Sequence, residues 1–138
     1  MGVSFWLPLD PVPCPRPRIR VMRLKNGSTM GVAYYIGKYK VFSVEAPLKI
    51  PKSSHYFEKG SPVEVEIAFF MRSPKKPANS YPVGDIDNYI KSILDAITKN
   101  GTYWHDDAQV IKLTATKQYF DDSDEAPGIM VNIKEPRL

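Results

Sequence analysis

An α+β fold is predicted: a mixed or antiparallel sheet packed on one dominant central helix, in a single domain over residues 1–138. Three observations carry this expectation. Several short segments are apolar or alternate apolar and polar residues with the period of two that marks strands. One segment, 86–97, repeats its apolar residues at helical spacing. Prolines, glycines and Asn-Gly pairs punctuate the intervals between them.

The elements follow in order. Phe5 to Leu9 reads as a short strand, closed by the run Pro11-Val12-Pro13-Cys14-Pro15-Arg16-Pro17-Arg18. Proline cannot donate to a sheet ladder, so this run is expected as an extended edge or loop. Ile19–Met22 and Gly31–Ile36 read as strands around Lys25-Asn26-Gly27-Ser28, with Asn-Gly as the turn signal. Residues 38–60 show no decisive period and are left unassigned. In Val63–Phe70, the residues Val63, Val65, Ile67 and Phe69 share one face and Glu64 and Glu66 the other, as in a half-buried strand. The stretch from Arg72 to Gly84 holds three prolines and no periodicity, and is expected to be a loop.

The clearest helix comes next. Ile86, Ile90, Ile93, Leu94 and Ile97 fall on one stripe at about 100° per residue. Asp85 is placed to cap its start, and Asn100-Gly101 to end it. After Trp104-His105-Asp106-Asp107, residues Val110–Phe120 alternate as a strand. The acidic run Asp121-Asp122-Ser123-Asp124-Glu125 lacks the glycine and distal Glu of a calcium loop and reads as a solvated turn before a last strand, Gly128–Ile133.

Composition narrows the function classes. A chain of 138 residues that is 43% hydrophobic and 25% charged fits a folded, water-soluble domain. No stretch has the length of a membrane span, and Met1–Leu9 lacks the basic leader and cleavage site of a signal peptide. One cysteine, Cys14, excludes an intrachain disulfide framework and a multi-cysteine zinc site, and suggests a reducing, cytoplasmic setting. The net charge of +4 is unevenly spread. Residues 1–80 carry 13 Lys+Arg against 5 Asp+Glu, and residues 81–138 carry 6 against 10. A basic half beside an acidic half suits a protein that attracts a polyanion and holds a divalent cation, although a solvated surface of uneven charge has the same arithmetic.

The polar side of the central helix sharpens this. Asp87 and Lys91 are four residues apart and lie beside the apolar stripe, with Asp85 at the helix entrance. On an ordinary helix Asp85 is only a cap, Asp87 favours the helix dipole, and an exposed Asp87–Lys91 pair contributes ~0.3 kcal/mol. Two features favour chemistry instead. Asp106 and Asp107 are adjacent acids at a turn that can return them to the helix, and adjacent carboxylates repel unless solvated or bridged by a cation. Lys91 can offer positive charge to a phosphate without displacing a metal.

The pattern Asp85-x-Asp87-Asn88-x-x-Lys91-x-x-x-Asp95-Ala96, followed by Gly101 and Asp106-Asp107-x-Gln109-Val110, resembles the RusA-type Holliday junction resolvases. The Pro/Arg segment near the start and the strand ahead of a Pro- and Lys-containing loop are similar as well. The resemblance implies a Mg²⁺-dependent crossover junction endodeoxyribonuclease, with Mn²⁺ as a substitute ion, that resolves four-way junctions in branched DNA by paired nicks during recombination and repair. It implies Asp85, Asp87 and Asp107 as metal-binding catalytic acids, Asp106 as a supporting or water-mediated ligand, and Lys91 as the catalytic lysine. It also implies a homodimer, two symmetric cuts needing two copies of one site, and a nucleoid-associated, non-membrane location. Many relatives carry a basic residue and Pro immediately before the first Asp; here Val83-Gly84 stand there, with Lys75-Lys76-Pro77 upstream.

Arg16, Arg18 and Arg20 alternate, so an extended backbone points them one way; they are read as a phosphate-contacting ridge, with Lys75 and Lys76 as weaker partners. His105 is left out, because a lone loop histidine is more often solvated. Tyr103 and Trp104 are assigned to packing at the helix exit, and Gln109 to hydrogen bonding near the site. Two other functions use the same residues: a metal-dependent nuclease for other branched DNA, and a non-catalytic DNA-binding protein with structural acids. Intact Asp85, Asp87, Lys91 and Asp107 weigh against the second.

Overall fold

The computed structural model describes residues 2–15, 18–34, 37–120 and 126–137. A four-stranded mixed sheet has the order β1–β6–β4–β5, built from β1 (Gly2–Leu7), β4 (Val63–Met71), β5 (Val110–Tyr119) and β6 (Gly128–Lys134). Strands β1 and β4 pair antiparallel with β6, whereas β4 and β5 run parallel. Parallel neighbours need a crossover, and the helix α2 (Ile86–Asn100) supplies it. A separate two-stranded sheet is the hairpin β2 (Arg18–Arg23) and β3 (Thr29–Tyr34).

The core lies between the sheet and the helices. Val63, Val65, Ile67 and Phe69 of β4 are buried against Tyr89, Ile93, Ala96 and Ile97 of α2, with Ile129, Val131 and Ile133 beside them on β6. Each large aliphatic side chain buried this way contributes about 2 kcal/mol. The alternation that marks β4 and the stripe that marks α2 are thus the two halves of one interface. Tyr103 and Trp104 are buried at the helix exit, where Trp104 Nε1 donates to Thr98 Oγ1 at 2.8 Å. Gly101, with φ of 82°, ends α2 in the left-handed region.

Several elements depart from the sequence reading. The first strand begins earlier and stops at Leu7, because its partner β6 sets its register from Gly2 to Leu7. A second helix, α1 (Lys38–Lys49), occupies the stretch left unassigned and packs on α2. The expectation of one dominant central helix gives way to two helices on one sheet. Tyr39, Phe42 and Ala46 are buried on α1, but Val41, Val44 and Leu48 are exposed, so its apolar residues form no single stripe. Pro47 lies in its last turn, and Asn100 at the end of α2 donates to the carbonyls of Pro47 and Ile50 at 3.0 and 2.9 Å. Those carbonyls are the ones a helix end leaves without internal partners.

Glu64 also differs from its expected place on a solvated face. It is buried, with carboxylate oxygens 3.4 Å from Lys134 Nζ and 3.7 Å from Lys112 Nζ. Among the described residues, no helix is long and apolar enough to cross a membrane. The acidic run 121–125 lies outside the described residues.

Candidate active site

Residues 72–85 connect the C-terminal end of β4 to the entrance of α2, and three contacts shape the end of that loop. Lys117, half-buried near the end of β5, donates to the carbonyl of Pro82 at 2.7 Å and also to that of Gly84. Tyr89 Oη donates to the carbonyl of Val83 at 3.0 Å. Gly84 has φ of 94°, and a Cβ there would meet the Tyr89 ring at 3.1 Å. A glycine before Asp85 is therefore demanded by both the backbone turn and the aromatic wall. The N-terminal segment braces the same place, with Cys14 N–H donating to the Asn88 carbonyl at 2.9 Å.

Asp85 opens the helix in the predicted N-cap position, with extended backbone angles, but its side chain makes no capping hydrogen bond. Its backbone carbonyl accepts from Asn88 and Tyr89 instead. Asp87, in the first turn, is exposed and accepts from Asn88 N–H at 3.0 Å. Lys91 is exposed one turn further on, and its Nζ lies 3.4 Å from Asp95, four residues along the helix. Both helix-entrance acids are exposed, with one Asp87 carboxylate oxygen on the helix's own Asn88 N–H.

The second acidic pair precedes β5. Asp106 caps a short 3-10 turn, Asp107–Gln109, by accepting from Ala108 N–H at 3.2 Å. Gln109 closes the reciprocal half: its Oε1 accepts from His105 and Asp106 N–H, at 2.8 and 3.1 Å. Its Nε2 donates to the carbonyls of Phe57, Glu58 and Ser61 at 3.2, 2.9 and 2.9 Å. Gln109, which had no assigned role beyond hydrogen bonding, ties the acidic turn to the segment before β4.

Asp107 emerges from this turn partly buried, and the turn packs on α2. The Asp107 carboxyl is held above the ordinary carboxylate range, first by burial and then by Asp106 and Asp95, while Lys91 pulls it back down. Eight residues of helix separate Asp87 from Asp95, about 12 Å of rise. Lys91 sits midway along that stretch. Among the described residues, no three Asp, Glu, His or Cys side chains converge into a metal-holding group.

The remaining candidates are dispersed. Lys75 and Lys76 are exposed in the 72–85 loop. Arg20 is exposed on β2, whose backbone also carries Arg18, while Arg16 lies outside the described residues. His105 is exposed and engaged through its backbone. Lys117 is the residue that sequence reading missed. It falls on the inward face of β5 with Leu113 and Ala115, and a cation in the apolar phase of an alternating strand is the available signal.

Comparison with known proteins agrees with these motifs. The family model for endodeoxyribonuclease RusA matches residues 8–134. A protein of Lactococcus phage r1t named crossover junction endodeoxyribonuclease rusA is 32% identical over 99 residues, covering 68% of this chain and 70% of that protein. The match spans the Pro/Arg segment, the crossover helix and both acidic pairs; the chain belongs to the RusA family of endodeoxyribonucleases.

Proposed function

We propose that this chain resolves four-way DNA junctions by paired symmetric nicks, in recombination and repair, using a divalent cation held by its acids. The observation that carries this reading is that the turn bearing Asp107 packs on α2, the helix that presents Asp85, Asp87 and Lys91. Residues 1–138 act in it as one domain and as a homodimer, each copy cutting one strand. A cytoplasmic, nucleoid-associated setting goes with that substrate.

The donors fit a hard cation by kind. Asp85 makes no capping hydrogen bond, Asp87 projects outward, and Asp107 is penalised as an anion where it stands. Mg²⁺ keeps several waters and needs one or two carboxylates together with phosphate oxygens, so a closed cage of side chains is unnecessary. Asp85 and Asp87 at the helix entrance would hold it; Asp107, which does not converge with them in this structure, would join with Asp106 through water or a bound phosphate, and Mn²⁺ would suit the same oxygens. When bound, the ion supplies an acidified water and charge to offset the phosphate oxygens.

The chain's own residues do the rest. Lys91 places an ammonium beside the scissile phosphate, stabilising charge that grows in the transition state. Lys117 and Tyr89 fix the loop carbonyls ahead of Asp85, so its carboxylate is presented at a set angle. Gln109 holds the turn that carries Asp107. Arg16, Arg18, Arg20, Lys75 and Lys76 provide phosphate contacts along the arms.

Incubating a labelled four-way junction with the protein, with and without Mg²⁺, tests the reading against duplex, flap and fork controls. Symmetric Mg²⁺-dependent nicks in the junction are expected. Cutting of flaps or forks in preference to the junction would reassign the substrate to other branched DNA. Absence of any Mg²⁺-dependent cutting would leave only a DNA-binding role.

A further inference from the structure

The hairpin β2–β3 pairs only within its own sheet, and the residues of its outer half are exposed. Arg20, Val21, Met22 and Arg23 are consecutive and all exposed, as are Thr29, Met30 and Gly31 opposite. Neighbouring strand residues point to opposite faces, so both faces are open. A two-stranded ribbon of this kind is marginal by itself and gains order from a partner.

Its chemistry is polarised. The chain has no Asp or Glu between Asp10 and Glu45, and the hairpin carries Arg18, Arg20, Arg23 and Lys25. Among the described residues, Arg20, Arg23 and Lys25 form no ion pair with a carboxylate. Between these cations lie apolar side chains at the far end. Met22 and Met30 are a cross-strand pair, 39% and 47% exposed, with Leu24 at 38% leading into the turn. The turn itself is well formed: Leu24 N–H donates to Ser28 at 2.8 Å, Gly27 N–H donates back to Leu24 at 3.0 Å, and Gly27 has φ of 85°.

The hairpin is also tied to the site. Cys14 is buried and hydrogen-bonded to Asn88 in the first turn of α2, and Arg18 follows four residues later, within about 14 Å of chain. Six-residue strands then extend about 20 Å to the tip.

We propose that this hairpin is an arm that grips branched DNA, Arg20, Arg23 and Lys25 holding phosphates while Met22, Leu24 and Met30 wedge against unstacked bases at the branch point. The proposal rests on the reading of branched DNA as substrate. In a continuous duplex the base faces are covered by their neighbours, and an apolar wedge must break that stacking at a cost of a few kcal/mol. At a branch point stacking is already interrupted, so the same wedge distinguishes junction from duplex. The cationic flanks favour a polyanion over a second copy, whose own hairpin would bring like charge.

The test uses full-length protein in metal-free buffer, a four-way junction with 2-aminopurine beside the crossover, and a duplex of matched sequence. Wild-type binding is expected to raise the 2-aminopurine fluorescence. In Met22→Ser/Met30→Ser that rise should be lost and junction affinity should fall about tenfold, with duplex affinity unchanged. In Arg20→Gln/Arg23→Gln/Lys25→Gln, affinity for both DNAs should fall and the salt slope of binding should drop by about one per contact removed. All these side chains are exposed, so unchanged circular dichroism is expected; Leu24→Ser provides a milder tip variant. If wild type cuts the junction in Mg²⁺ but the methionine variant binds and unstacks it normally, the arm is overturned and the nuclease reading stands. If wild type neither cuts nor binds the junction, both fall. A methionine variant that turns from dimer to monomer while still unstacking bases would assign the hairpin to a second copy, overturning the proposal.

Discussion

Lys117 on β5 holds the carbonyls of Pro82 and Gly84, the residues that lead into Asp85. An edge strand in contact with α2 thereby sets the direction of a loop whose next residue is a catalytic candidate. Lys117→Met keeps most of the stem and removes the ammonium. The variant is expected to cut a junction about tenfold more slowly, as loss of a group orienting a ligand does. Binding titrations should show affinity within about threefold of wild type, since the phosphate-contacting residues are untouched. Equal losses in rate and affinity would instead make Lys117 a DNA contact.

Gln109 makes two accepted and three donated hydrogen bonds between the acidic turn and residues 57–61. Gln109→Ala leaves several of these backbone groups without that partner. A loss of about 2–3 kcal/mol in denaturant unfolding is expected, together with slower cutting. Gln109→Glu should recover the accepted pair but not the donated ones, and fall between the two.

Gly84→Ala tests the loop from the other side. Its φ of 94° disfavours any side chain, and the new Cβ would press on the Tyr89 ring. A destabilisation of about 1–2 kcal/mol is expected. If Asp85 depends on this turn, cutting should fall further than the stability loss explains at a temperature where the variant is fully folded.

The pair Glu66–Lys134, 3.0 Å apart, carries a pH signature. The Lys134 hydrogen bond and charge hold the Glu66 carboxyl below its ordinary value, and Glu66 raises the Lys134 ammonium. A depressed carboxyl stabilises the fold above its unfolded pKa and loses that contribution as pH falls through the folded value. Lys134→Met should therefore lower Tm at neutral pH, and the deficit should shrink as the solution is acidified below the carboxylate range. Because Lys134 also faces buried Glu64, part of the deficit should be relieved by adding Glu64→Gln. A deficit independent of pH would point to lost packing instead.

Much of this architecture could be read from residue patterns. The stripe from Ile86 to Ile97 announced α2 because Ile90, Ile93, Leu94 and Ile97 pack into the core, and Gly101 ended it where expected. Helix α1 escaped because its apolar residues surround it: Tyr39 and Phe42 face the core, while Val41, Val44 and Leu48 face outward. Glu64 escaped for a different reason. Alternation reports which face a residue occupies, not whether two lysines from neighbouring strands will cover it. In the site, acid identities and the helix entrance were legible, since local spacing determines them. The packing of the Asp107 turn on α2 was not, because it depends on how residues 101–109 turn, and Gln109 makes that turn through contacts some 50 positions away in sequence.

The nuclease reading depends most on Asp107 acting with the helix-entrance acids, and single-turnover cutting of preformed junction complexes addresses that directly. Asp107→Asn is expected to form the same complex with unchanged affinity and to cut about a hundredfold or more slowly in Mg²⁺, as Asp87→Asn should. Lys91→Ala should also slow cutting more than it weakens binding. Wild-type cutting by Asp107→Asn would contradict the assignment and leave that carboxylate a partly buried structural acid.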